Sequence, residues 1–259
     1  MSVKIIKRTL NNDYFQFNAF AFIPSNDQEA PPIRDEWALF THGYTASKSD
    51  CLSWAQRLSE AGIPVCLFDL PGHHLGSLNE VASFKDFKNH SIECFIDAFN
   101  FLKDLEFPKC ERVILGGHSL GALLSIKASN LNFFKDLNPI AIGVGLGISQ
   151  HKTQHLFETS FYQKTLNIRR QLVDKKIDSD LVFPWINEEK NNISISGVRI
   201  HLITGQDDVV VGTGGMKALA EKLEDLNNVS TFEPKKLPHH EPGLASSQII
   251  SFLKKELPI

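Results

Sequence analysis

A serine lies in the middle of the segment Gly117-His118-Ser119-Leu120-Gly121, which follows an apolar run and precedes a helical pattern. A serine hydroxyl is a weak nucleophile, so a catalytic serine must be held in a sharp turn that projects Oγ away from the sheet. Glycines on each side let the backbone pass closely. The context predicts a nucleophilic serine between a strand and a helix, and the alternative is an ordinary helix-capping serine.

This segment resembles the nucleophile elbow of lipases and esterases with the α/β-hydrolase fold, in which the acid follows the serine and the histidine comes last. The later segment 205–211 is similar to the acid loop of that family, and the match selects Asp208, with Asp207 as its rival. In the histidine loop the resemblance places His240 at the catalytic position, and His239 stands where a glycine is common. The resemblance therefore implies a Ser-Asp-His triad.

Two further segments are similar to loops of the same fold. Gly43 and Tyr44 follow His42 in an HG element, whose backbone N–H joins that of the residue after the nucleophile to form an oxyanion hole. The two implied donors are therefore Tyr44 and Leu120, and one such donor contributes about 3 kcal/mol to transition-state stabilisation. The segment 69–77 departs from the family pattern by one added residue and is interpreted as structural.

Short apolar runs alternate with amphipathic helical patterns, and this order predicts an α/β fold with a mainly parallel sheet covered by helices on both faces. Val3–Leu10 and Tyr14–Ile23 are predicted to form an antiparallel hairpin. The helical periodicity of the apolar residues predicts helices in segments 84–106, 120–128, 216–226 and 249–257. The predicted parallel strands are Trp37–Thr41, Val65–Leu70, Arg112–Gly116, Ile140–Leu146, Val198–Thr204 and Val229–Glu233.

Residues 148–196 separate two predicted strands by far more than an ordinary connection, so we expect a helical cap inserted into a core of residues 1–147 and 197–259. Segment 161–177 has helical periodicity. The aromatic residues of the cap are expected to form an apolar substrate pocket, and the alternative is that they pack the cap onto the core. The candidates are Phe161, Tyr162 and Trp185, together with Phe157 and Phe183.

Composition limits the classes of partner. The chain has 259 residues, of which 42% are hydrophobic, and its net charge is −3 without a basic run, so nucleic-acid binding has no support. No secretory leader or membrane-spanning run is recognisable, and we expect a cytoplasmic protein. The four cysteines lack metal-type spacing and are expected to be free, unreactive thiols. Nucleotide fingerprints and metal motifs are missing, so no cofactor or metal is expected.

These features predict acyl transfer from a small-molecule ester to water through an acyl-enzyme. By resemblance, a serine at the elbow disfavours dehalogenase and epoxide-hydrolase chemistry. A carboxylesterase is the first expectation, an acyl thioesterase with the same triad is its rival, and amide or carbon–carbon bond hydrolysis stays open. A different class, a non-catalytic ligand-binding protein on the same fold, is disfavoured because residues for every catalytic role occur together.

Overall fold

The protein is described by a computed structural model that covers residues 3–25, 30–148 and 160–257, with side chains in the last range from residue 164 onward. One sheet of eight strands organises the described residues. The strands are β1 (Lys4–Asn11), β2 (Gln16–Ile23), β3 (Glu36–Thr41), β4 (Val65–Phe68), β5 (Arg112–His118), β6 (Ile140–Val144), β7 (Arg199–Ile203) and β8 (Asn228–Phe232).

The strands are ordered β1-β2-β4-β3-β5-β6-β7-β8. β1 and β2 form the predicted antiparallel hairpin, β2 is antiparallel to β4, and the remaining neighbours are parallel. The predicted α/β fold class is therefore confirmed. Thr41 lies opposite Gly117, and Val144 lies opposite both His118 and Ile203. The carboxyl ends of the central strands consequently meet at one edge, where ligands of open α/β sheets bind.

Helices cover both faces of the sheet, as predicted, but the sequence prediction omitted the helices Leu52–Glu60 and Asn132–Lys135. The predicted helix over segment 84–106 is two helices, Phe84–His90 and Cys94–Lys103, separated by a 3-10 turn in which Ser91 is buried. The helices are α1 (Leu52–Glu60), α2 (Phe84–His90), α3 (Cys94–Lys103), α4 (Leu120–Ala128), α5 (Asn132–Lys135), α6 (Ser160–Arg169), α7 (Ser179–Asn192), α8 (Gly215–Glu224) and α9 (Ser246–Glu256).

The central strands are apolar on both faces because helices cover both faces. In β3, Trp37 and Leu39 join the core on one face, whereas Ala38 and Phe40 join the core on the other. All four cysteines are free and buried, which confirms the prediction of free thiols. Among the described residues, no helix is long and apolar enough to cross a membrane.

The chain between β6 and β7 includes α6 and α7, which are joined by 3-10 turns rather than by the predicted continuation of the helix to residue 177. This connection is tied to the loop that follows β4. Val173 forms an isolated bridge with His73, and the backbone N–H of Asp174 donates to Gly72 O at 2.8 Å. The Asp174 carboxylate accepts a bond from Val81 N at 2.8 Å, so its side chain also fixes this junction.

Candidate active site

Ser119 occupies a strained turn between β5 and α4. Its φ is 50° and its ψ is −109°, a conformation that costs a residue with a Cβ about 1–3 kcal/mol. The turn is fixed on both sides, because Ser119 N donates to Val144 O at 2.8 Å and Ser119 O accepts from Leu123 N at 3.1 Å. The side chain stays partly exposed. The serine is therefore held at the carboxyl edge of the sheet, with its position determined by the backbone.

The two glycines of the elbow are required because β5, α4 and the end of β3 approach one another closely. A Cβ on Gly117 would lie 2.6 Å from Gly121 O, and a Cβ on Gly121 would lie 2.5 Å from His42 O. Both distances are far below van der Waals contact with rigid backbone atoms. The two glycine positions of the motif are therefore required by the close packing of a strand, a helix and a loop around the serine.

Asp208 lies in the loop after β7 and its side chain is only 1% exposed. Its Oδ1 accepts backbone bonds from Val210 N at 3.0 Å and from Val211 N at 2.9 Å, and its Oδ2 lies 2.9 Å from His239 Nδ1. Asp207 has a different contact, because its Oδ1 accepts a bond from the backbone N–H of Leu237 at 2.7 Å. Of the two acids weighed from the sequence, Asp208 is thus the one that faces a histidine.

The structure corrects the predicted pairing of His240 with the acid, since His239 takes that place. The side chain of His240 is 68% exposed, and its Nε2 lies 3.6 Å from Glu241 Oε1. The reason is a tight turn in which Glu241 N donates to Pro238 O at 3.0 Å. The first residue inside this turn faces the acid loop, and the second faces solvent.

The hydrogen bond with Asp208 also defines the tautomer of the neutral His239 ring. A carboxylate only accepts, so Nδ1 carries the proton in that tautomer and Nε2 is the acceptor. The His239 ring lies beside that of His118, the residue before the serine, with centroids 4.7 Å apart. Burial, and next the proximity of His239, hold the pKa of His118 well below its usual value. The neighbouring ring is therefore neutral and adds no positive charge beside His239.

The loop after β3 lies directly against the elbow, because a Cβ on Gly43 would be 3.3 Å from Ser119 Cβ. Tyr44, the predicted oxyanion donor, follows in this loop. Leu120, the other predicted donor, is the first residue of α4, where backbone N–H groups have no partner within the helix. His42 supports the loop: its Nδ1 donates to Gly43 O at 2.8 Å, and burial lowers its pKa to about 4.

Residues 38–173, more than half of the chain, match the model of a family described as the alpha/beta hydrolase family. The chain belongs to this α/β-hydrolase family. It is accordingly a hydrolase, and the fold expected from the resemblance of its elbow is confirmed. No curated protein sequence matches the chain.

Solved structures share the whole fold of this hydrolase. An esterase of Pyrococcus furiosus has a TM-score of 0.65 and 20% identity, covering 98% of this chain and 91% of that one. A serine hydrolase without a lid from Xanthomonas campestris has a TM-score of 0.64 and 14% identity, covering 100% and 98%. A lipase in an open form has a TM-score of 0.62 and 17% identity, covering 98% and 99%. At such identities the likeness establishes the fold.

The aromatic residues expected to form a substrate pocket in this hydrolase divide into separate groups. Trp185, predicted as a substrate-binding residue, lies instead in the hydrophobic core. It is 2% exposed and packs edge-on against Phe84 and Phe87 of α2, with ring centroids 6.0 and 5.9 Å away. Its Nε1 donates to Glu189 Oε1 at 2.9 Å. Trp185 therefore attaches α7 to the core.

Phe183, two residues earlier on α7, contacts the loop after β3 instead. Its ring lies 5.3 Å from that of Tyr44, and the Tyr44 hydroxyl donates to Ile177 O at 2.9 Å. Phe157 lies outside the described residues, and the side chains of Phe161 and Tyr162 are likewise outside them. Among the described residues, no group of three His, Cys, Asp or Glu side chains could hold a metal ion.

Proposed function

We propose that this hydrolase cleaves small carboxylic esters through an acyl-enzyme, with Ser119 as nucleophile, His239 as base and Asp208 as the acid that orients it. The observation that supports this most strongly is the 2.9 Å contact between His239 Nδ1 and Asp208 Oδ2. The His239 ring packs beside that of His118, the residue before the strained and partly exposed Ser119. The pattern of nucleophile, base and orienting acid is the one required for acyl transfer.

In the first half-reaction, Ser119 Oγ attacks the carbonyl carbon of the ester while His239 Nε2 accepts the hydroxyl proton. Asp208 stabilises the imidazolium that forms, and its own proton content does not change. When the tetrahedral intermediate collapses, the carbon–oxygen bond to the alcohol breaks, and the imidazolium gives its proton to the departing oxygen. The acyl group remains on the serine.

The backbone N–H groups of Tyr44 and Leu120 are proposed to bind the oxygen that becomes negative in the tetrahedral state. The full charge exists only there, so these donors favour the transition state over the bound substrate, by about 3 kcal/mol for one donor. Support comes from the position of the loop, since Gly43 packs against Ser119 on one side and Leu120 begins α4 on the other.

The second half-reaction uses the same groups with water in place of the alcohol. His239 removes a proton from water, the resulting hydroxide attacks the acyl carbon, and collapse of the intermediate returns the proton to Ser119 Oγ. The carboxylic acid product leaves. Every proton moves between His239, the serine and the substrate, so the chemistry requires no cofactor or metal.

An ester is the proposed substrate because the structural neighbours include proteins called an esterase and a lipase. The part of the inserted segment that includes Phe183 is proposed to cap the site and to offer the acyl chain an apolar wall together with Tyr44. An acyl thioesterase would use the same groups. A panel of p-nitrophenyl and coenzyme A esters of graded chain length decides between the two. The cytoplasmic location stays a prediction.

The proposal is tested by fluorophosphonate labelling of the purified protein and of two variants. Ser119→Ala should abolish labelling and reduce ester hydrolysis to background, because the attacking oxygen is gone. Ser125→Ala is the matched control: this serine lies in α4, is buried, and bonds to Ala122 O at 2.9 Å. The control should label as the unchanged protein does. Labelling that survives in Ser119→Ala would exclude this nucleophile.

A further inference from the structure

Lys48 carries a positive charge into the interior beside the oxyanion loop. Its side chain is 7% exposed, and its Nζ lies 2.5 Å from Oδ2 of Asp69, whose side chain is fully buried. The ammonium also lies over the ring of Phe20, 4.3 Å from the centroid. Burying two charges carries a large desolvation cost, and apolar replacements of such pairs are often neutral or stabilising. Stability alone is therefore a poor explanation for this pair.

Asp69 holds the backbone of Lys48 as well as its ammonium. Asp69 Oδ1 accepts a bond from Lys48 N at 2.9 Å, so the two carboxylate oxygens bind two groups of the same residue. The loop that follows β4 encloses this carboxylate. A Cβ on Gly76 would lie 1.9 Å from Asp69 Cγ, which only a glycine at that position avoids. The carboxylate thus has a fixed position rather than a choice of rotamers.

A second bond joins the same two loops at the other end of the segment. The residue after Asp69 is Leu70, and its backbone N–H donates to His42 Nε2 at 2.9 Å. Two consecutive residues after β4 therefore hold residues 42 and 48, one on each side of the segment 43–47. That segment contains Tyr44, the proposed oxyanion donor.

The segment between these two attachments is strained. Thr45 has a φ of 63°, which is unfavourable for a β-branched residue, and the turn is closed by a bond from Ala46 N to Gly43 O at 3.2 Å. Strained backbone persists only where the surroundings determine it. The attachments of His42 and Lys48 to the loop after β4 are such surroundings.

We propose that Asp69 and Lys48 are positioning residues of the oxyanion hole, which hold the segment 43–47 so that the Tyr44 N–H points at the developing charge. The inference rests on the proposed ester hydrolysis. Neither residue touches the substrate. A misplaced donor weakens binding of the tetrahedral state and leaves ground-state binding almost unchanged, so the effect belongs in kcat rather than in KM.

The test uses the double variant Lys48→Met/Asp69→Asn, in which both charges are removed together and similar volumes are kept. Single variants would leave one buried charge unpaired, which by itself strongly destabilises a folded protein. For p-nitrophenyl butyrate we expect kcat to fall about 10- to 100-fold. The fall should not exceed the loss of kcat caused by removing one oxyanion-hole donor, about 10²- to 10³-fold, because the Tyr44 N–H is displaced and not removed. KM should change less than about threefold. The inhibition constant of a trifluoromethyl ketone, which binds the serine as an oxyanion, should rise in parallel with the loss of kcat.

The matched control is the ion pair at the opposite end of β3. Arg34 Nε lies 2.7 Å from Glu36 Oε2, and Arg34 Nη2 lies 2.9 Å from Glu36 Oε1. The double variant Arg34→Met/Glu36→Gln should alter the melting temperature while kcat and the ketone inhibition constant stay the same. This control measures what the loss of a partly buried ion pair does to the protein away from the site.

The outcomes separate this inference from the proposed function. If the unchanged protein labels at Ser119 and hydrolyses esters, but the Lys48→Met/Asp69→Asn variant keeps its kcat and ketone affinity, the positioning role is wrong. An equal loss of kcat in the Arg34→Met/Glu36→Gln control would also overturn it. If the unchanged protein neither labels nor hydrolyses esters, the proposed function itself is wrong.

Discussion

The amino and carboxyl ends of the parallel strands differ in the polar groups that they carry and in the strain of the backbone beside them. At the amino ends, Glu36 at the start of β3 pairs with Arg34, and Arg199 at the start of β7 pairs with Glu256. Both pairs begin on regular strand backbone. The φ of 43° at Asn138, just before β6, lies in the left-handed region that asparagine tolerates. At the carboxyl edge, Ser119 adopts a strained conformation, and charged and polar side chains are buried beside it.

The difference shows that unfavourable local structure is concentrated at the carboxyl edge. The apolar layers on both faces of the sheet stabilise the whole domain. This stability offsets the cost of the strained and buried polar groups at the carboxyl edge, which would not adopt this arrangement alone. Substitutions at this edge should therefore change activity far more than stability. Substitutions in the packed layers or at the amino ends should do the reverse.

The largest expected effect distinguishes the two adjacent histidines. His239→Ala should lower kcat/KM by about 10³- to 10⁴-fold, because the base and its link to Asp208 are both lost. His240→Ala should change kcat/KM less than twofold, since that side chain is mostly exposed. Both rates are measured with p-nitrophenyl esters, and circular dichroism checks that each variant is folded. A greater loss in His240→Ala would contradict the observed geometry of the turn.

The next prediction concerns two aromatic residues of α7, of which Trp185 lies in a packed layer and Phe183 lies beside Tyr44 at the carboxyl edge. Trp185→Ala should reduce the free energy of unfolding by about 3–5 kcal/mol, because it removes a large buried ring from the core. Phe183→Ala should have a smaller effect on unfolding, but it should weaken the preference for longer acyl chains, at up to about 0.8 kcal/mol for each methylene no longer buried. Urea unfolding and kcat/KM for acetyl to octanoyl p-nitrophenyl esters measure the two effects.

One result from these two variants would contradict the proposed role of Phe183. If Trp185→Ala alters chain-length preference and Phe183→Ala does not, then α7 presents the opposite face to the site. The proposed apolar wall beside Tyr44 would then be wrong, and Trp185 would return to the role expected from the sequence.

Much of the fold and part of the site could be predicted from the sequence, because those features depend on local spacing. The alternation of apolar runs indicated the parallel sheet, and close packing on Gly117 and Gly121 gives the elbow a recognisable pattern. The resemblance of segment 205–211 to the family's acid loop selects Asp208 over Asp207. Gly117 meets Gly121 within the motif, and Asp208 accepts bonds from Val210 and Val211, so part of what requires these residue types lies within a few residues of chain.

The features that could not be predicted depend on contacts between distant segments. His239 and His240 are adjacent in a loop, and only the turn closed by Pro238 and Glu241 decides which one faces the acid. The direction of Trp185 depends on α2, about a hundred residues earlier in the chain. Lys48 gives no signal, because a lone lysine is a surface residue in most sequences. Asp69 begins segment 69–77, which the resemblance marks as structural, but nothing in the sequence indicates that its carboxylate binds Lys48.

The smallest expected effect tests the strain at the carboxyl edge directly. Ser119→Gly should increase the free energy of unfolding by about 1 kcal/mol, because glycine accepts a positive φ and relief of about 1–3 kcal/mol of strain exceeds its entropic cost of about 0.5–1 kcal/mol. Ser119→Ala is the control, since it removes the same hydroxyl but keeps the Cβ, so its stability should stay near that of the unchanged protein. Urea unfolding of all three proteins measures the difference.

Both variants are inactive, so a higher stability of the glycine variant over the alanine variant isolates backbone strain from the loss of the hydroxyl. A glycine variant no more stable than the alanine variant would mean that the elbow is relaxed, and the contrast between the two ends of the sheet would then rest on buried polar groups alone.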